Sequence, residues 1–309
     1  MGIRKYVFAS RAERNSYEKL ARSWGKSHEI QSNLPFLNVF SIDDLNLAPE
    51  DAERLKKTSI DFTLCDKNYS PILSIEFDGL YDGVNIGPAY FPSRDTRGKW
   101  RRKIMELKIA VAQKSQFPFF VVGSGHFNDL SPELKFTIID GIVGDVLAHK
   151  AFQEKVTSGF APEEMGYSPE DFDGLSDEDR HGIVQDWVTG IEVQSEMDHN
   201  PIRRLAAQLS HALNTVLSSE CKYFPELQGE PATIERAEEM KAALYVGAFV
   251  TVHTKDFGQL SETVMLPNFK SCGFGFGFDL ASTFAELVCL SRLAKMRGIT
   301  LEMLNQELR

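Results

Sequence analysis

Residues 59–79, SIDFTLCDKNYSPILSIEFDG, constrain the fold more than any other stretch of the chain. The first half alternates, setting Ile60, Phe62 and Leu64 against Asp61, Thr63 and Cys65, and side chains two apart in a strand share a face. DKNYSP reads as a turn. The second half is an apolar run broken by Glu76 and Asp78, so Ser74, Glu76 and Asp78 share one face while Leu73, Ile75 and Phe77 take the other. If the hairpin closes at Cys65 and Ile72, Asp61 falls across from Glu76, and Cβ atoms of such a pair lie ~4.5–5.5 Å apart. Carboxylates this close repel each other, and in apolar surroundings each must be solvated, protonated or bound to a cation. A divalent cation turns the repulsion into attraction. Oxygen donors without sulfur or a histidine cluster suit magnesium or manganese rather than zinc. Asp61, Glu76 and Asp78 are therefore the candidate metal ligands. The other reading of the same spacing is a solvated acidic face on an edge hairpin.

The neighbouring segments build a unit around this hairpin. Residues 16–24 have helical spacing (Tyr17, Leu20, Ala21, Trp24), and Glu18 on that helix is a further candidate carboxylate for the site. An extended stretch follows Gly25. After the hairpin, 79–98 is dense in Gly, Pro, Asn and Asp and reads as a loop. A helix is predicted over 99–114, and FPFFVVGSG (117–125) reads as a buried strand. The order is helix, three strands, helix, strand. Residues 94–108 hold seven basic residues (Arg94, Arg97, Lys99, Arg101, Arg102, Lys103, Lys108) against two acids. A basic helix beside an acidic metal cluster suits a polyanion, with the metal at the reacting phosphate and Lys and Arg along the flanking backbone. Trp100 in this helix is read either as packing or as a plate for a base.

Further along, 131–150 is helical or extended, since FTIIDGIVGDVL fits both periods. Residues 163–179 hold eight acids and no Lys or Arg, and read as a linker or exposed loop. Asn200-Pro201 predicts a capped helix to about residue 217, 243–254 and 261–269 predict paired strands, and a closing helix follows Asp279. The predicted organisation is a unit over 1–128, a helical connection and acidic linker over 129–180, and an α/β accessory region over 181–309 whose role could be substrate recognition, dimerisation as a homodimer, or docking of a protein partner.

Composition excludes several classes. With 309 residues, 42% apolar and 25% charged, the profile is that of a globular chain. No apolar run approaches the ~20 residues that span a bilayer, the start shows no secretory h-region, and four scattered cysteines form no zinc or disulfide pattern. A reduced, cytoplasmic protein with no membrane partner is expected. The net charge of −10 argues against nucleic-acid binding over the whole surface and leaves the basic helix to supply it. CGFGFGFD (272–279) lacks dinucleotide spacing, and VGSGH is no nucleophile elbow.

The ordered set SYEKL, LPFLNVFSI, IDFTLCDKNYSPILSIEFDG, a Lys-rich helix and FPFFVV resembles the PD-(D/E)XK nuclease superfamily, in particular its bacterial branch related to very-short-patch-repair endonucleases. The likeness covers roughly residues 10–125. It implies a restriction-endonuclease-like fold, α/β with a mixed sheet flanked by helices. It also implies magnesium- or manganese-dependent hydrolysis of phosphodiester bonds, DNA first and RNA also open, in repair or in defence against foreign DNA. Carried over by position, Asp61 and Glu76 are the metal-binding carboxylates, the Phe77 carbonyl is an extra ligand, and Glu18 matches the acid that related families keep on the first helix. Asp78 stands where the superfamily name puts Lys; the following helix then supplies it, Lys108 first, with Lys103 and Lys99 behind. Related domains often place His shortly after DG, where Tyr81 or Asp82 stands here. That departure keeps a second expectation open, a nuclease-fold module that binds nucleic acid or protein without cleaving.

Overall fold

The computed structural model of the chain describes residues 8, 10–42, 47–78, 84–86, 89–91, 96–129, 134–215, 226–232, 245–254, 258–267, 270–272 and 277–299. Ser10 starts the first helix, α1 (Arg11–Trp24): its backbone is extended and its hydroxyl accepts the Glu13 N–H at 3.0 Å, which satisfies one orphan donor of the first turn. The helix begins at Arg11 rather than at residue 16 because its first turn is polar and shows no apolar spacing. Its buried face is Glu13, Ser16, Leu20 and Trp24.

Strand β1 (Glu29–Pro35) pairs antiparallel with β2 (Ser59–Cys65), and β2 pairs antiparallel with β3 (Pro71–Asp78). A short helix, α2 (Pro49–Leu55), lies between β1 and β2. Beyond β3, the short strands β4 (Val84–Ile86) and β5 (Ala89–Phe91) pair with each other. Helix α3 (Thr96–Lys114) then carries the chain across to β6 (Phe119–Gly123), which lies parallel to β3. A parallel neighbour requires such a crossover. The result is a mixed sheet in the order β1-β2-β3-β6, flanked by helices, to which a fifth short strand is added from far downstream.

The two faces of this sheet differ in chemistry. Across the β3–β6 pair, Ser74 sits beside Phe119 and Glu76 beside Val121. Phe119 and Val121 pack with Ile109, Val111 and Ala112 of α3 and with Phe36, Phe40 and Leu55. The opposite face carries Phe62, Leu73, Ile75, Phe120 and Val122, packed on Leu20 and Trp24 of α1 and on helix α4 (Ile138–Ser158). Helix α4 starts with a reciprocal cap: Thr137 Oγ1 accepts the Asp140 N–H at 3.2 Å, and Asp140 Oδ2 accepts the Thr137 N–H at 2.8 Å. Every residue from Ile138 to Ala148 is buried. A helix covered on all sides has no polar stripe, which is why this segment fits either period in sequence.

The acidic segment is exposed, yet much of it is helical. Glu163 and Glu164 begin a single 3-10 turn. Ser168 caps α5 (Pro169–Asp173), with Glu170 and Asp171 in its first turn. Ser176 caps α6 (Asp177–His199), with Asp177, Glu178 and Asp179 in its first turn. Seven of the eight acids thus mark helix starts, where negative charge is favoured by the unsatisfied N–H groups. The segment is held down by Phe160, packed on Phe172 and Trp187 at centroid distances of 5.2 and 5.3 Å. Trp187 Nε1 donates to Glu164 Oε2 at 2.7 Å.

Asn200 ends α6 and caps α7 (Pro201–Thr215), its Oδ1 accepting the Ile202 N–H at 2.9 Å. Strands β7 (Glu226–Ala232), β8 (Tyr245–Thr254) and β9 (Gly258–Pro267) form an antiparallel sheet, and β10 (Lys270–Cys272) joins the first sheet beside β6. Helix α8 (Gly277–Met296) packs on β8, β9 and α7. One core cluster runs through both parts of the chain, from Leu20, Phe62 and Phe120 to Ile202, Leu209, Val252, Phe284 and Leu290. Among the described residues no helix is long and apolar enough to cross a membrane.

Two glycines test this packing. A Cβ on Gly144 of α4 would meet Asn200 Cα at 2.9 Å, a backbone atom at a fully buried residue. A Cβ on Gly182 of α6 would meet nothing within 4 Å. Gly144→Ala is expected to lower the unfolding free energy by ~1–3 kcal/mol through overpacking. Gly182→Ala is expected to raise it by about 0.5–1 kcal/mol through helix propensity. Denaturant unfolding midpoints read both; equal effects would refute the close α4–Asn200 approach.

Candidate active site

The register of β2 on β3 runs Phe62↔Ile75, Thr63↔Ser74 and Leu64↔Leu73 before a bulge at Cys65. This is the register that sets Asp61 beside Glu76. Thr63 and Ser74, both fully buried, share a hydrogen bond of 3.0 Å between their hydroxyls. At the next same-face position along the two strands the hydroxyl pair gives way to the acids. Strand pairing with β2 ends at Phe62–Ile75, and the Phe77 N–H donates to Asp61 Oδ2 at 2.7 Å. A side chain has taken the place of a ladder carbonyl, so β2 and β3 part here while β3 stays paired with β6 through Asp78.

Lys108 reaches this point from α3. Its Nζ donates to Glu76 Oε1 and, at 2.7 Å, to the Ser59 carbonyl. Glu76 and Lys108 are each 5% exposed. An ammonium group has three donors; these two acceptors account for two of them. Lys108 owes its position to its place on α3 beside the buried Ile109 and Ala112.

Burial dominates the electrostatics. It pushes the Glu76 carboxyl up from 4.5 to about 8, against the pull of the Lys108 ammonium and with a further push from Asp61. Burial also raises Asp61, opposed by the Phe77 N–H and by Lys108. Asp61 adds to the upward push on Glu76, as expected of two desolvated acids side by side, of which one tends to keep a proton. A proton and a hard cation compete for such a pair. Asp61 and Glu76 are the side chains here that could hold a metal; among the described residues no three His, Cys, Asp or Glu converge on one point.

The acid that α1 turns inward is Glu13 rather than Glu18. Glu18 is exposed and pairs with Arg14 at 2.8 Å, an arrangement contributing ~0–1 kcal/mol at most. Glu13 is 5% exposed, accepts Asn33 Nδ2 at 3.0 Å, and adds to the upward push on Asp61. Its sequence signal is the spacing Glu13, Ser16, Leu20, Trp24 on one helical face; five residues on, Glu18 points roughly 140° away.

The other expected residues divide. Lys103 is not beside the carboxylates: its Nζ pairs with Asp51 of α2 at 2.9 Å. Arg101 is exposed on α3. Arg94, Tyr81 and Asp82 lie outside the described residues, as do the side chains of Asp78, Arg97, Lys99 and Arg102. Compared with known proteins, the chain matches no family model, no curated protein and no solved structure.

The raised Glu76 value fixes a pH dependence. The folded chain retains a proton near neutrality that the unfolded chain releases above about 4.5. The stabilisation is therefore complete below pH 4.5 and is lost as pH rises toward 8, at up to ~1.4 kcal/mol per unit. In chelator, the unfolding free energy should fall by a few kcal/mol between pH 5 and pH 8, and Glu76→Gln should flatten the profile. A wild-type profile that is flat or rises over this window would contradict burial as the dominant effect.

Proposed function

We propose that the chain is a cytoplasmic, metal-dependent nuclease that hydrolyses phosphodiester bonds, DNA first and RNA second, with its N-terminal part arranged like the restriction endonucleases. The observation that carries this reading is the buried Lys108–Glu76 pair beside Asp61: two acids on adjacent strands and a lysine from the crossover helix, all at one point of the sheet. The order of one helix, three antiparallel strands, a crossover helix and a parallel fourth strand supports it.

Asp61 and Glu76 would hold Mg2+ or Mn2+, hard cations that match carboxylate oxygens. Such an ion, when bound, lowers the pKa of a bound water and neutralises charge on the leaving oxygen. The chain's own groups do the rest. The Phe77 N–H fixes the Asp61 carboxyl at 2.7 Å, so that acid needs no reorganisation. Lys108 aims its remaining N–H at the negative charge that gathers on the phosphoryl oxygens. Glu76 must be ionised to serve as a ligand, so cleavage should strengthen as pH rises toward 8. Exposed Arg101 on α3 offers charge to the flanking backbone.

The depth of the Glu76–Lys108 pair favours a second reading, a nuclease-fold module whose buried ion pair only ties α3 to the sheet while the surface binds nucleic acid or protein. Incubation with supercoiled, linear and single-stranded DNA in magnesium, manganese or chelator separates the two. Cleavage is expected with either metal, absent in chelator, and reduced about 10²–10³-fold or more in Lys108→Met and Glu76→Gln. Cleavage that survives chelator and both substitutions would sink the nuclease reading; retained, salt-sensitive binding with no cleavage would favour the second.

A further inference from the structure

Trp100 stands near the start of α3 with 49% of its surface open to solvent, whereas the other two tryptophans, Trp24 and Trp187, are buried. The ring is nevertheless held. The Arg54 guanidinium carbon lies 4.7 Å from the ring centroid, within reach of a cation–π contact. Arg54 is itself gripped by Glu50 and, at 3.0 Å, by Asp51. Asp51 also takes Lys103, one helical turn beyond Trp100, at 2.9 Å. With its charge met by two acids, Arg54 serves the ring rather than a phosphate. The half of the indole outside this contact is thus a rigid aromatic plate facing water, with exposed Arg101 beside it.

Trp100 precedes Lys108 by eight residues on the same helix, which places it about 12 Å up the axis. At ~3.4 Å per stacked nucleotide, that is about three to four nucleotides from a phosphate at Lys108. In a duplex each base is covered above and below by its neighbours. A protein plate can take only a base that is unpaired, terminal or flipped out.

We propose that Trp100, clamped by Arg54, is a stacking plate for an unpaired base, so that the substrate of the Asp61–Glu76–Lys108 site carries a single-stranded segment on the α3 side. The substrate assignment rests on the phosphodiester-cleaving reading of that site; the plate itself does not. Exposed Arg101 supplies complementary charge for the strand's backbone, and the ring supplies contact without sequence preference.

Fluorescence anisotropy with a labelled oligothymidylate and a blunt duplex of equal length tests this, with Ca2+ in place of Mg2+ to separate binding from turnover. Trp100→Ala should weaken single-strand binding about 5- to 150-fold, the span that ~1–3 kcal/mol of base stacking gives. Duplex binding should change less than about twofold, and Trp100→Phe should keep most of the affinity because a second aromatic ring still stacks. Arg54→Ala, which frees the ring, should lose part of it. Equal loss on both oligonucleotides, no loss on either, or no binding of either would overturn the plate. Cleavage of the same oligonucleotides in magnesium is read separately. Selective binding without cleavage overturns the nuclease reading and keeps the plate, whereas cleavage indifferent to Trp100 does the reverse.

Discussion

Lys108 bonds at once to Glu76 on β3 and to the Ser59 carbonyl at the head of β2, and most of the N-terminal architecture turns on that contact. It joins the crossover helix to two strands at a single buried point and so sets the rotation of α3 over the sheet. With that rotation set, Ile109, Val111 and Ala112 face Phe119 and Val121. Removing Glu76 would leave the buried Lys108 ammonium with the Ser59 carbonyl alone, and stranding a buried charge typically costs ~3–5 kcal/mol. The contact is therefore structural before it is anything else, and it explains how two acids can persist in a strand whose other residues fill a core.

The same point is where the sheet stops being regular. Asp61 accepts the Phe77 N–H, so β2 and β3 separate without leaving a buried donor unsatisfied. A parting in a sheet normally exposes backbone groups at a penalty; here a carboxylate fills the vacancy and holds its own position in doing so. Positioning of the acid and relief of the backbone are one interaction. Glu13, held by Asn33, adds a third carboxyl group near this parting and pushes Asp61 further up, so the acids here outnumber the single Lys108 ammonium.

Much of this was legible because strands read with period two. The faces of β3 and the run of α3 follow from alternation and spacing, whereas the β2–β3 register needs an assumed closure that a bulge at Cys65 alters, and Ile60 packs in the cluster opposite Phe62 and Leu64. Lys108 was reached through the family resemblance, not through periodicity. Glu13 is hidden in the sequence because the capped first turn of α1 is polar and extends the helix ahead of its apolar spacing. α6 carries Ile183, Val184, Trp187, Val188 and Ile191 at helical spacing, but β-branched residues and two glycines lower its propensity, and its acidic first turn passed for a linker. The pairing of Lys103 with Asp51 required α2, a helix of seven residues too short to show a period. β10 has three residues and no pattern at all; only its partner defines it.

That last strand has a bearing on how the chain can be cut. β6 would be the outer strand of its sheet, with a row of free N–H and C=O groups along one side, were β10 not laid against Lys270↔Val121 and Cys272↔Phe119. An uncovered, apolar edge is a template on which further chains can pair. The N-terminal segment that holds the catalytic candidates is thus sealed by a piece of backbone about 150 positions downstream. A fragment ending before that seal would keep every candidate residue and still present a sticky border, so its solubility, rather than its chemistry, would set what could be learned from it.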